Sequence, residues 1–361
     1  MIKAHCFTDA WLQRCVNQAR PARIDPIILE KVIYALHLLE ALRVNGLDFV
    51  FKGGTSLLLL LEEGNRFSID IDIIANVERE KLEAILNKVT ANSRFTRWQL
   101  DERRSYQPGI PKAHYKFFFE TSRSGSGSIL LDVLRDEPMY PAYVELPIRA
   151  PWIETDAETK VVVPTIDAIT GDKLTAFAPE TIGIPYYKRG QRFSLEICKQ
   201  LFDLSRLFEQ IEDVEVVAKS FKAIAEREIA YRKRDFTPDV VLCDIIDTCV
   251  ILARRNRQRS EDDQRKFNEL QRGIRSLGSF LMTGHFRIED AIAAAGRIAY
   301  LAAKILTNDL TPITLYKGHD ISKWDIQDPN WNFLNRLKRL PDKSTFYYWA
   351  LAVALLSKKD G

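Results

Sequence analysis

FKGGTSLLLLLEEGNRFSIDIDII, from Phe51 to Ile74, is the most informative stretch of this sequence. It begins at the end of a short apolar strand, and Gly53-Gly54 predicts a turn. Thr55-Ser56 is placed to cap a helix over the leucines Leu57 to Leu61. Ser68 to Ala75 then alternates apolar and acidic residues, which predicts a second strand. The order of these elements is a more specific indication of a functional site than any one of them alone. The order is a strand, a glycine turn, a helix and an acidic strand.

The acidic strand predicts a metal site. Side chains i and i+2 of a strand share a face, so Asp70 and Asp72 point the same way, while Ile69, Ile71 and Ile73 pack on the other side. Two adjacent carboxylates repel each other, and a divalent cation that prefers hard oxygen ligands, Mg²⁺ (or Mn²⁺), relieves that repulsion. A lone Asp-x-Asp is more often a solvated strand face, so the pattern gains weight only from the glycine turn that precedes it.

The glycine turn predicts a phosphate site. Gly53 and Gly54 let backbone amides approach an anion closely, and the helix that begins at Thr55 presents its positive end to the same point. Lys52 adds a cationic contact. A nucleoside triphosphate needs both features, namely N–H donors for its terminal phosphates and carboxylates that hold a metal at the reacting phosphorus.

Outside this stretch, the hydrophobic pattern changes once along the chain. Further strands are predicted at Arg94–Leu100, His114–Glu120, Ser128–Leu134 and Val161–Val163, and helices at Pro26–Leu47 and Val77–Val89. From Ile166 onward almost every segment has helical periodicity, including Leu195–Gln210, Val214–Ala230, Val240–Leu252 and Phe346–Leu356. We therefore expect an α+β protein, with a sheet domain and flanking helices over residues 1–165 and an all-α domain over residues 166–361.

Composition excludes several classes of protein. The chain has 361 residues, of which 46% are hydrophobic and 28% charged, as is typical of a folded protein of about two domains. Its 52 Lys and Arg against 49 Asp and Glu give a formal net charge of +3, which excludes a polycation but not a local basic face. The longest uncharged run, Ser344 to Ser357, is too short to span a bilayer, and the N-terminus lacks the apolar core of a signal peptide.

The cysteines and histidines show no spacing of metal ligands. The five cysteines are odd in number and scattered, so we expect buried, reduced thiols. Together with the absence of a predicted membrane segment, they predict a cytoplasmic protein without a membrane partner.

Lys52-Gly-Gly-Thr55, followed by Arg66-Phe-Ser68-Ile-Asp70-Ile-Asp72, resembles the AbiEii/AbiGii toxin family. This family includes the MenT-type toxins of type IV toxin–antitoxin systems and is part of the nucleotidyltransferase superfamily of DNA polymerase β. The resemblance implies a nucleotidyltransferase-type mixed β-sheet with Asp70 and Asp72 as catalytic metal ligands. It also implies nucleotide-binding roles for Lys52, Gly53, Gly54, Thr55 and Ser68.

Two later segments resemble further parts of the superfamily pattern. A third carboxylate usually lies on a neighbouring strand, and Asp132 is the candidate for this metal ligand or base. An ion pair between Asp132 and Arg135 is the alternative. Ile166 to Phe177 resembles the family pattern Ala-Asp-Lys-Leu-x-Ala, with Gly171 in place of the usual Ala. This match implies that Lys173 neutralises phosphate charge in the transition state, whereas by itself Lys173 is a surface lysine on an amphipathic helix.

Lys199-Gln-Leu-Phe-Asp203-Leu resembles a third family motif, Arg/Lys-Asp-x-Tyr-Asp-Leu, with Gln200 where the family often has Asp. It implies a nucleotide-binding role for Lys199 and a catalytic role for Asp203, and a plain i,i+4 ion pair is the alternative. Basic residues near this motif and after it are candidates for RNA binding: Lys188, Arg189, Arg232, Lys233, Arg234, Arg254 and Arg255. Solvated helix ends are the alternative explanation for the later clusters.

Together these features predict a metal-dependent nucleotidyltransferase. An acceptor hydroxyl attacks the α-phosphorus of a nucleoside triphosphate, and pyrophosphate leaves. The resemblance implies that the acceptor is the 3′ end of tRNA, and that the protein is a toxin of a toxin–antitoxin or phage-defence system with a cognate antitoxin as partner. Two alternatives remain open: a nucleotidyltransferase that modifies a protein side chain or a small molecule, and a non-catalytic module that binds nucleotide or RNA.

Overall fold

The structure is a computed structural model that describes residues 1–19, 24–61, 66–105, 111–123, 125–282, 284–318 and 320–359. Contacts divide the chain into two compact units. The first unit comprises Met1–Thr165 and Phe280–Gly284, and the second comprises Ile166–Ser279 and His285–Gly361. Among the helices that the structure describes, none is both long enough and apolar enough to cross a lipid bilayer.

The first unit is built on a mixed sheet with flanking helices. Its strands are β1 (Val50–Lys52), β2 (Ile71–Ile74), β3 (Phe95–Leu100), β4 (Lys112–Glu120), β5 (Ser126–Leu134), β6 (Tyr143–Pro147) and β7 (Lys160–Pro164). Its helices are α1 (Asp9–Gln18), α2 (Pro26–Val44), α3 (Gly53–Leu60), α4 (Arg79–Ala91) and α5 (Glu102–Ser105), and a 3₁₀ helix covers Ala4–Phe7. The strand order is β3-β4-β5-β2-β1-β7-β6. The pairs β2–β5 and β1–β7 are parallel, and the other neighbouring pairs are antiparallel.

Helix α2 packs in the core of this unit. Its N-terminus follows from sequence, because the Asp25 carboxylate accepts a hydrogen bond from the amide of Ile27 and Pro26 occupies the first turn. Most of its residues are buried, and Tyr34 stacks on Phe119 of β4 with ring centroids 3.7 Å apart. Burial of this apolar surface is the main stabilising contribution, and it fixes the strands whose polar side chains form the candidate site.

The second unit consists mainly of helices. They are α6 (Ile166–Ala176), α7 (Ser194–Leu207), α8 (Val214–Arg232), α9 (Pro238–Arg254), α10 (Glu261–Leu277), α11 (Ile288–Leu306) and α12 (Ser344–Lys359), with 3₁₀ helices at Phe208–Gln210, Gly278–Phe280 and Asn332–Arg339. A short hairpin is formed by β8 (Tyr187–Lys188) and β9 (Gln191–Arg192). The alanine-rich α11 is almost wholly buried and contacts α7, α9 and α12, which makes it the central helix.

The α+β prediction is confirmed, with differences in detail. Helix α3 begins at Gly53 without a side-chain cap, so the prediction of Thr55-Ser56 as the N-cap is wrong. The backbone already turns at Gly53, and the Ser56 hydroxyl donates back to the Gly53 carbonyl. Gly64, which the sequence predicts as the end of this helix, lies outside the described residues.

Other features were not predicted from the sequence. Strand β6 and the β8–β9 hairpin are too short or too irregular in pattern to be recognised, and the hairpin makes the second unit not purely helical. The segment Phe280–Gly284 returns to the first unit, where the Phe280 carbonyl accepts a hydrogen bond from the Phe67 amide at 2.8 Å. Four of the five cysteines are buried as expected, but Cys243 is exposed.

Candidate active site

Four ionisable residues lie in one row across four adjacent strands of the first unit. Lys52 of β1 is opposite Asp72 of β2, Asp72 is opposite Asp132 of β5, and Asp132 is opposite His114 of β4. Residues that are directly opposite in a ladder project from the same face of the sheet. The row therefore brings two carboxylates together between a lysine and a histidine.

The apolar neighbours of the two aspartates explain which way the row faces. Ile71 and Ile73 flank Asp72, Leu131 and Val133 flank Asp132, and all four apolar residues are buried. Because side chains alternate along a strand, this burial directs the carboxylates to the opposite face. Strand β2 is shorter than the predicted Ser68 to Ala75, so the exposed Asp70 lies just before it.

Asp132 is held by His114. Its Oδ1 lies 2.6 Å from Nδ1 of His114, and both side chains are largely buried, with 25% and 14% exposed. The structure thus gives Asp132 a different partner from Arg135, the one considered from the sequence. His114 was missed as a site residue because its place depends on the pairing register of β4 and β5.

Gly53 allows the backbone to approach Asp72 closely. Its φ of +79° is a conformation that residues with a side chain rarely adopt. A Cβ at this position would lie 2.1 Å from Oδ2 of Asp72. Since α3 begins at Gly53, the N-terminus of the helix starts at the residue that approaches this carboxylate, and the amides of a helix N-terminus are suited to bind phosphate oxygens.

Gly54 is crowded in a similar way by two side chains of the quoted stretch. A Cβ on Gly54 would lie 2.6 Å from Nη2 of Arg66 and 3.0 Å from Oγ of Ser68. The Arg66 side chain is buried, so a guanidinium is fixed against the glycine turn. Arg66 belongs to the motif that the sequence revealed, but the sequence alone gave no reason to assign it a role.

Thr55 supports the backbone of the site. Its side chain is fully buried, and its hydroxyl donates a hydrogen bond to the carbonyl oxygen of Asp70 at 2.6 Å. This bond ties the first turn of α3 to the residue that precedes β2. The Thr55 side chain therefore acts on the position of the acidic strand.

The carboxylates suit a hard divalent cation by their chemistry. Asp72 and Asp132 present oxygen donors from adjacent positions, and Gly53 leaves no side chain beside Oδ2 of Asp72. Over the residues that the structure describes, no three His, Cys, Asp or Glu side chains form a group that could hold a metal ion. Mg²⁺ commonly takes one or two carboxylates together with substrate phosphates, and the aligned pair fits that mode.

In the second unit, Lys173 of α6 and Asp203 of α7 form a buried ion pair. The Lys173 Nζ lies 2.7 Å from Oδ2 of Asp203, and only 6% and 1% of the two side chains are exposed. The same Nζ donates to Oε1 of Gln200 at 3.3 Å. Gln200, at the position where the family often has Asp, thus contacts the lysine of the preceding motif. Lys199 lies one turn before Asp203 on α7 and is partly buried.

Gly171 departs from the family pattern for a packing reason. A Cβ at this position would lie 2.6 Å from the backbone nitrogen of Phe221 and from the carbonyl oxygen of Val217, both on α8. The Ser220 hydroxyl also donates to the Ala168 carbonyl at 2.6 Å across this contact. Glycine is required by the close approach of α6 and α8.

The first of the predicted basic residues lie on the β8–β9 hairpin. Lys188 and Arg189 are exposed at its tip. Arg189 and Gly190 have φ values of +52° and +76°, as in the two-residue turns that fit the twist of a hairpin. The turn therefore projects two cations into solvent.

The other predicted basic residues lie at the ends of two helices. Arg232 is the last residue of α8 and pairs with Glu228, and Lys233 is the C-cap with a φ of +50°. Arg234 follows and is exposed. Cations at this end of a helix interact favourably with its dipole, so this cluster has a structural explanation. Arg254 and Arg255 end α9 beside the 3₁₀ helix Asn332–Arg339.

A model of a known protein family matches most of the chain. The model described as nucleotidyl transferase AbiEii toxin, type IV TA system, matches residues 37–279. The matched region includes β1, β2 and β5 of the first unit and α6 and α7 of the second. It therefore contains the aspartates of the row and the Lys173–Asp203 pair. No curated protein sequence matches the chain significantly.

One of the similar solved structures supports the fold. MenT4, a nucleotidyltransferase toxin from Mycobacterium tuberculosis H37Rv, is similar with a TM-score of 0.53 and 16% identity, over 94% of this chain and 98% of that chain. A protein from H. pylori that is assigned as a nucleotidyltransferase has a TM-score of 0.44 and 14% identity, over 79% of this chain and 99% of that chain. The AbiEii family model covers well over half of the residues of the present chain. This chain therefore belongs to the AbiEii nucleotidyltransferase toxins of type IV toxin–antitoxin systems.

Proposed function

We propose that this nucleotidyltransferase adds a nucleoside monophosphate to the 3′ end of tRNA. The acceptor hydroxyl oxygen forms a bond to the α-phosphorus of a nucleoside triphosphate, the bond from that phosphorus to the β-phosphate bridge breaks, and pyrophosphate leaves. The observation that carries the proposal is the row in which Asp72 and Asp132 are adjacent, with Gly53 against Asp72.

Asp72 and Asp132 are proposed as the aligned ligand pair of Mg²⁺ or Mn²⁺, and Asp70, just before β2, is proposed as a ligand that joins them once the substrate is in place. When bound, such a metal neutralises charge on the reacting phosphate and lowers the pKa of an attacking hydroxyl. Asp72 and Asp132 share a face of the sheet, and the Thr55 hydroxyl fixes the Asp70 backbone. The chain thus provides aligned oxygen donors on rigid strands, where substrate phosphates complete the coordination.

Asp132 is also proposed to accept the proton of the acceptor hydroxyl. Its Oδ1 is hydrogen-bonded to Nδ1 of His114. The other oxygen, Oδ2, is therefore proposed to accept the proton of the acceptor hydroxyl. His114 is a positioning residue in this scheme, because it holds the carboxylate in one orientation without contacting the substrate.

The triphosphate is proposed to bind at the glycine turn. The amides of Gly53 and Gly54 donate to phosphate oxygens at the N-terminus of α3. Lys52, Ser68 and the buried Arg66 supply further donors around the same turn. Thr55 contributes through its backbone, since its side chain is buried.

Lys173 and Lys199 are proposed to neutralise phosphate charge. Asp203 and Gln200 both hold the Lys173 ammonium, which fixes the direction of a cation that is otherwise flexible. Such a preoriented cation stabilises developing charge without reorganisation during the reaction. Asp203 is thus assigned an orienting role.

RNA is proposed as the acceptor because the second unit carries several groups of neighbouring cations. Lys188 and Arg189 project from a hairpin tip, and the basic residues at the ends of α8 and α9 add further positive charge. A cognate antitoxin is proposed to restrain the enzyme in the cell, where unrestrained modification of tRNA would arrest growth and so limit phage multiplication.

The proposal is tested by incubating the purified protein with each α-labelled nucleoside triphosphate, Mg²⁺ and total tRNA. We expect label from at least one nucleotide in RNA, sensitive to ribonuclease and resistant to protease. Asp70→Ala and Asp72→Asn should abolish labelling, while Asp156→Asn, an exposed aspartate of the same unit, should retain it. No labelled acceptor with any of the four nucleotides, or undiminished labelling by Asp70→Ala, would rule the proposal out.

The same experiment separates the alternatives. Label that is removed by protease and not by ribonuclease identifies a protein side chain as the acceptor, and label in neither fraction but in a small product identifies a small molecule. Triphosphate binding without turnover identifies a non-catalytic module. The adjacent carboxylates of Asp72 and Asp132 favour turnover, because a module that only binds has no need of them.

A further inference from the structure

A cavity of about 320 Å³ lies in the second unit between the end of α9 and the 3₁₀ helix Asn332–Arg339. Five arginines line it: Arg254, Arg255, Arg257, Arg336 and Arg339. We call this cavity the arginine pocket. Arg336 and Arg339 come from a part of the chain beyond residues 37–279, so the family match does not assign them a role.

The pocket has a defined construction. The guanidinium carbon of Arg254 lies 4.0 Å from the ring centroid of Phe333, and Nη2 of Arg336 donates to the Ala253 carbonyl at 2.8 Å. These contacts fix two guanidinium groups. Arg336 and Arg339 are three residues apart on a 3₁₀ helix, so their side chains project from the same face.

The arginine pocket contains more positively charged side chains than nearby acidic side chains. Among its described lining residues none is acidic, although Arg255 pairs with Glu289 outside the lining at 2.7 Å. Burial and the neighbouring Arg259 and Arg336 lower the pKa of Arg254. The whole chain has a net charge of only +3, so five arginines around one cavity are a local concentration of positive charge, which the pairing of Arg255 with Glu289 offsets only in part.

Capping of α9 does not account for this cluster. The C-terminus of a helix is satisfied by one or two cations in its last turn, and Arg254 and Arg336 already lie there. Arg255 has a φ of +53°, a strained conformation for a residue with a side chain, and it turns the chain so that Arg257 also lines the cavity. An anion bound in the pocket would relieve the repulsion between these like charges.

We propose that the arginine pocket binds phosphate groups of an RNA backbone. This inference rests on the proposed function, because it requires that the acceptor is RNA. The cations are all arginines, whose planar forks match phosphate oxygens in pairs. The cavity admits a phosphate with its sugar, whereas a folded acidic protein would need a broad face of the size that specific protein interfaces bury. The C-terminal helices thus hold the RNA by residues other than those that bind the triphosphate.

The test measures the affinity of the full chain for fluorescently labelled total tRNA, without triphosphate, over a series of salt concentrations. The test variant is Arg257→Gln/Arg339→Gln, which changes two exposed arginines. The control is Arg272→Gln/Arg275→Gln, which removes the same charge from two exposed arginines of α10. Thermal unfolding of each variant verifies that it is folded.

We expect the test variant to raise the Kd about tenfold, and to reduce the salt slope of log K by about 1 to 2 because two phosphate contacts are lost. The control variant should remain within about twofold of the wild type. Equal Kd values for the two variants would overturn the pocket proposal. The proposed function would still hold in that case if the wild-type protein transfers label to tRNA. A wild type that neither binds nor labels tRNA would instead overturn the proposed acceptor. Unchanged tRNA affinity with loss of binding to an acidic antitoxin would assign the pocket to that protein and overturn the RNA proposal.

Discussion

The two units hold their buried and half-buried carboxylates in opposite ways. In the first unit Asp72 and Asp132 are adjacent on parallel strands, so each raises the energy of the other's charge. In the second unit Asp203 is buried and joined to Lys173 at 2.7 Å. A bound cation stabilises two adjacent carboxylates, because it offsets their repulsion. It does not stabilise a buried ion pair, whose net charge is already zero. The first arrangement is suited to binding a metal with its substrate, and the second to fixing the direction of a single ammonium group.

Substitution of Asp72 tests the first half of this comparison and should have the largest effect. Asp72→Asn keeps the shape of the side chain but removes its charge, so transfer should slow by about a thousandfold or more. The free energy of unfolding should stay constant or rise, because repulsion with Asp132 is relieved. Single-turnover transfer and urea denaturation measure the two quantities. A variant that loses stability in proportion to activity would show that Asp72 has a structural role.

Substitution of Lys173 tests the second half of the comparison. Lys173→Met leaves Asp203 charged and buried without its ammonium partner, so the free energy of unfolding should fall by about 3–5 kcal/mol. The double variant Lys173→Met/Asp203→Asn should recover most of this loss, since no buried charge remains. Urea denaturation of the two variants measures the difference. A single variant as stable as the wild type would contradict the account of a buried, mutually dependent pair.

Asp244 shows a third way to hold a carboxylate, by neutral donors. Its Oδ2 accepts hydrogen bonds from the amides of Glu180 and Thr181 and from the Thr181 hydroxyl. Burial, reinforced by the nearby Glu180, outweighs these bonds and raises its pKa from an ordinary value of 3.8 to about 6.

A raised carboxyl pKa stabilises the fold when the group is protonated, so this stabilisation is present below about pH 4 and is lost as the pH rises to about 6. Relative to the wild type, Asp244→Asn should therefore gain up to ~3 kcal/mol of unfolding free energy between pH 4 and pH 7. Urea denaturation at several pH values measures this difference. A difference that does not depend on pH would contradict the shifted pKa.

Gly53 tests whether the backbone must lie against Asp72. Gly53→Ala should cost about 1–3 kcal/mol of stability for its positive φ, and should also reduce transfer because its Cβ displaces the Asp72 carboxylate. Gly46→Ala is the matched control, since Gly46 has a φ of +88° but nothing within 4 Å of the added Cβ. The control should lose stability without losing activity, as measured by denaturation and transfer rate. Equal losses of activity in both variants would show that crowding at Asp72 is unimportant.

His114 should have the smallest effect, because it acts only through Asp132. His114→Ala should reduce the transfer rate about tenfold, in the range typical of residues that orient a ligand or base. His114→Asn places an amide donor close to the position of Nδ1 and should restore part of the rate. Kinetics at saturating triphosphate and RNA measure the effect on kcat. A loss that His114→Asn does not relieve would indicate a role other than holding Asp132.

The elements of the first unit could largely be predicted, but the way in which they pair could not. The alternation in Ile69-Asp70-Ile71-Asp72-Ile73 identified β2 and the face from which Asp72 projects. The partner of Asp132 was missed because the ends of the predicted strands, His114–Glu120 and Ser128–Leu134, do not fix how these strands pair. The observed register places His114 opposite Asp132. A shift of two residues in the register would change every cross-strand pair.

Long-range contacts in the second unit were equally inaccessible to sequence patterns. Lys173 and Asp203 were found by motif, yet nothing in their spacing showed that they form one ion pair. Arg254 and Arg255 were recognised as part of a basic run at a helix end. Their combination with Arg336 and Arg339 depends on tertiary packing, which brings the 3₁₀ helix Asn332–Arg339 to the end of α9.

The most direct test of the central claim uses the 3′ hydroxyl of the acceptor. tRNA with intact 3′ ends and the same tRNA after periodate oxidation of those ends are incubated with the wild-type protein, Mg²⁺ and α-labelled triphosphate. The account predicts one pyrophosphate released for each nucleotide added to intact tRNA, and neither product with oxidised tRNA. Equal labelling of intact and oxidised tRNA, or pyrophosphate release without labelled RNA, would contradict it.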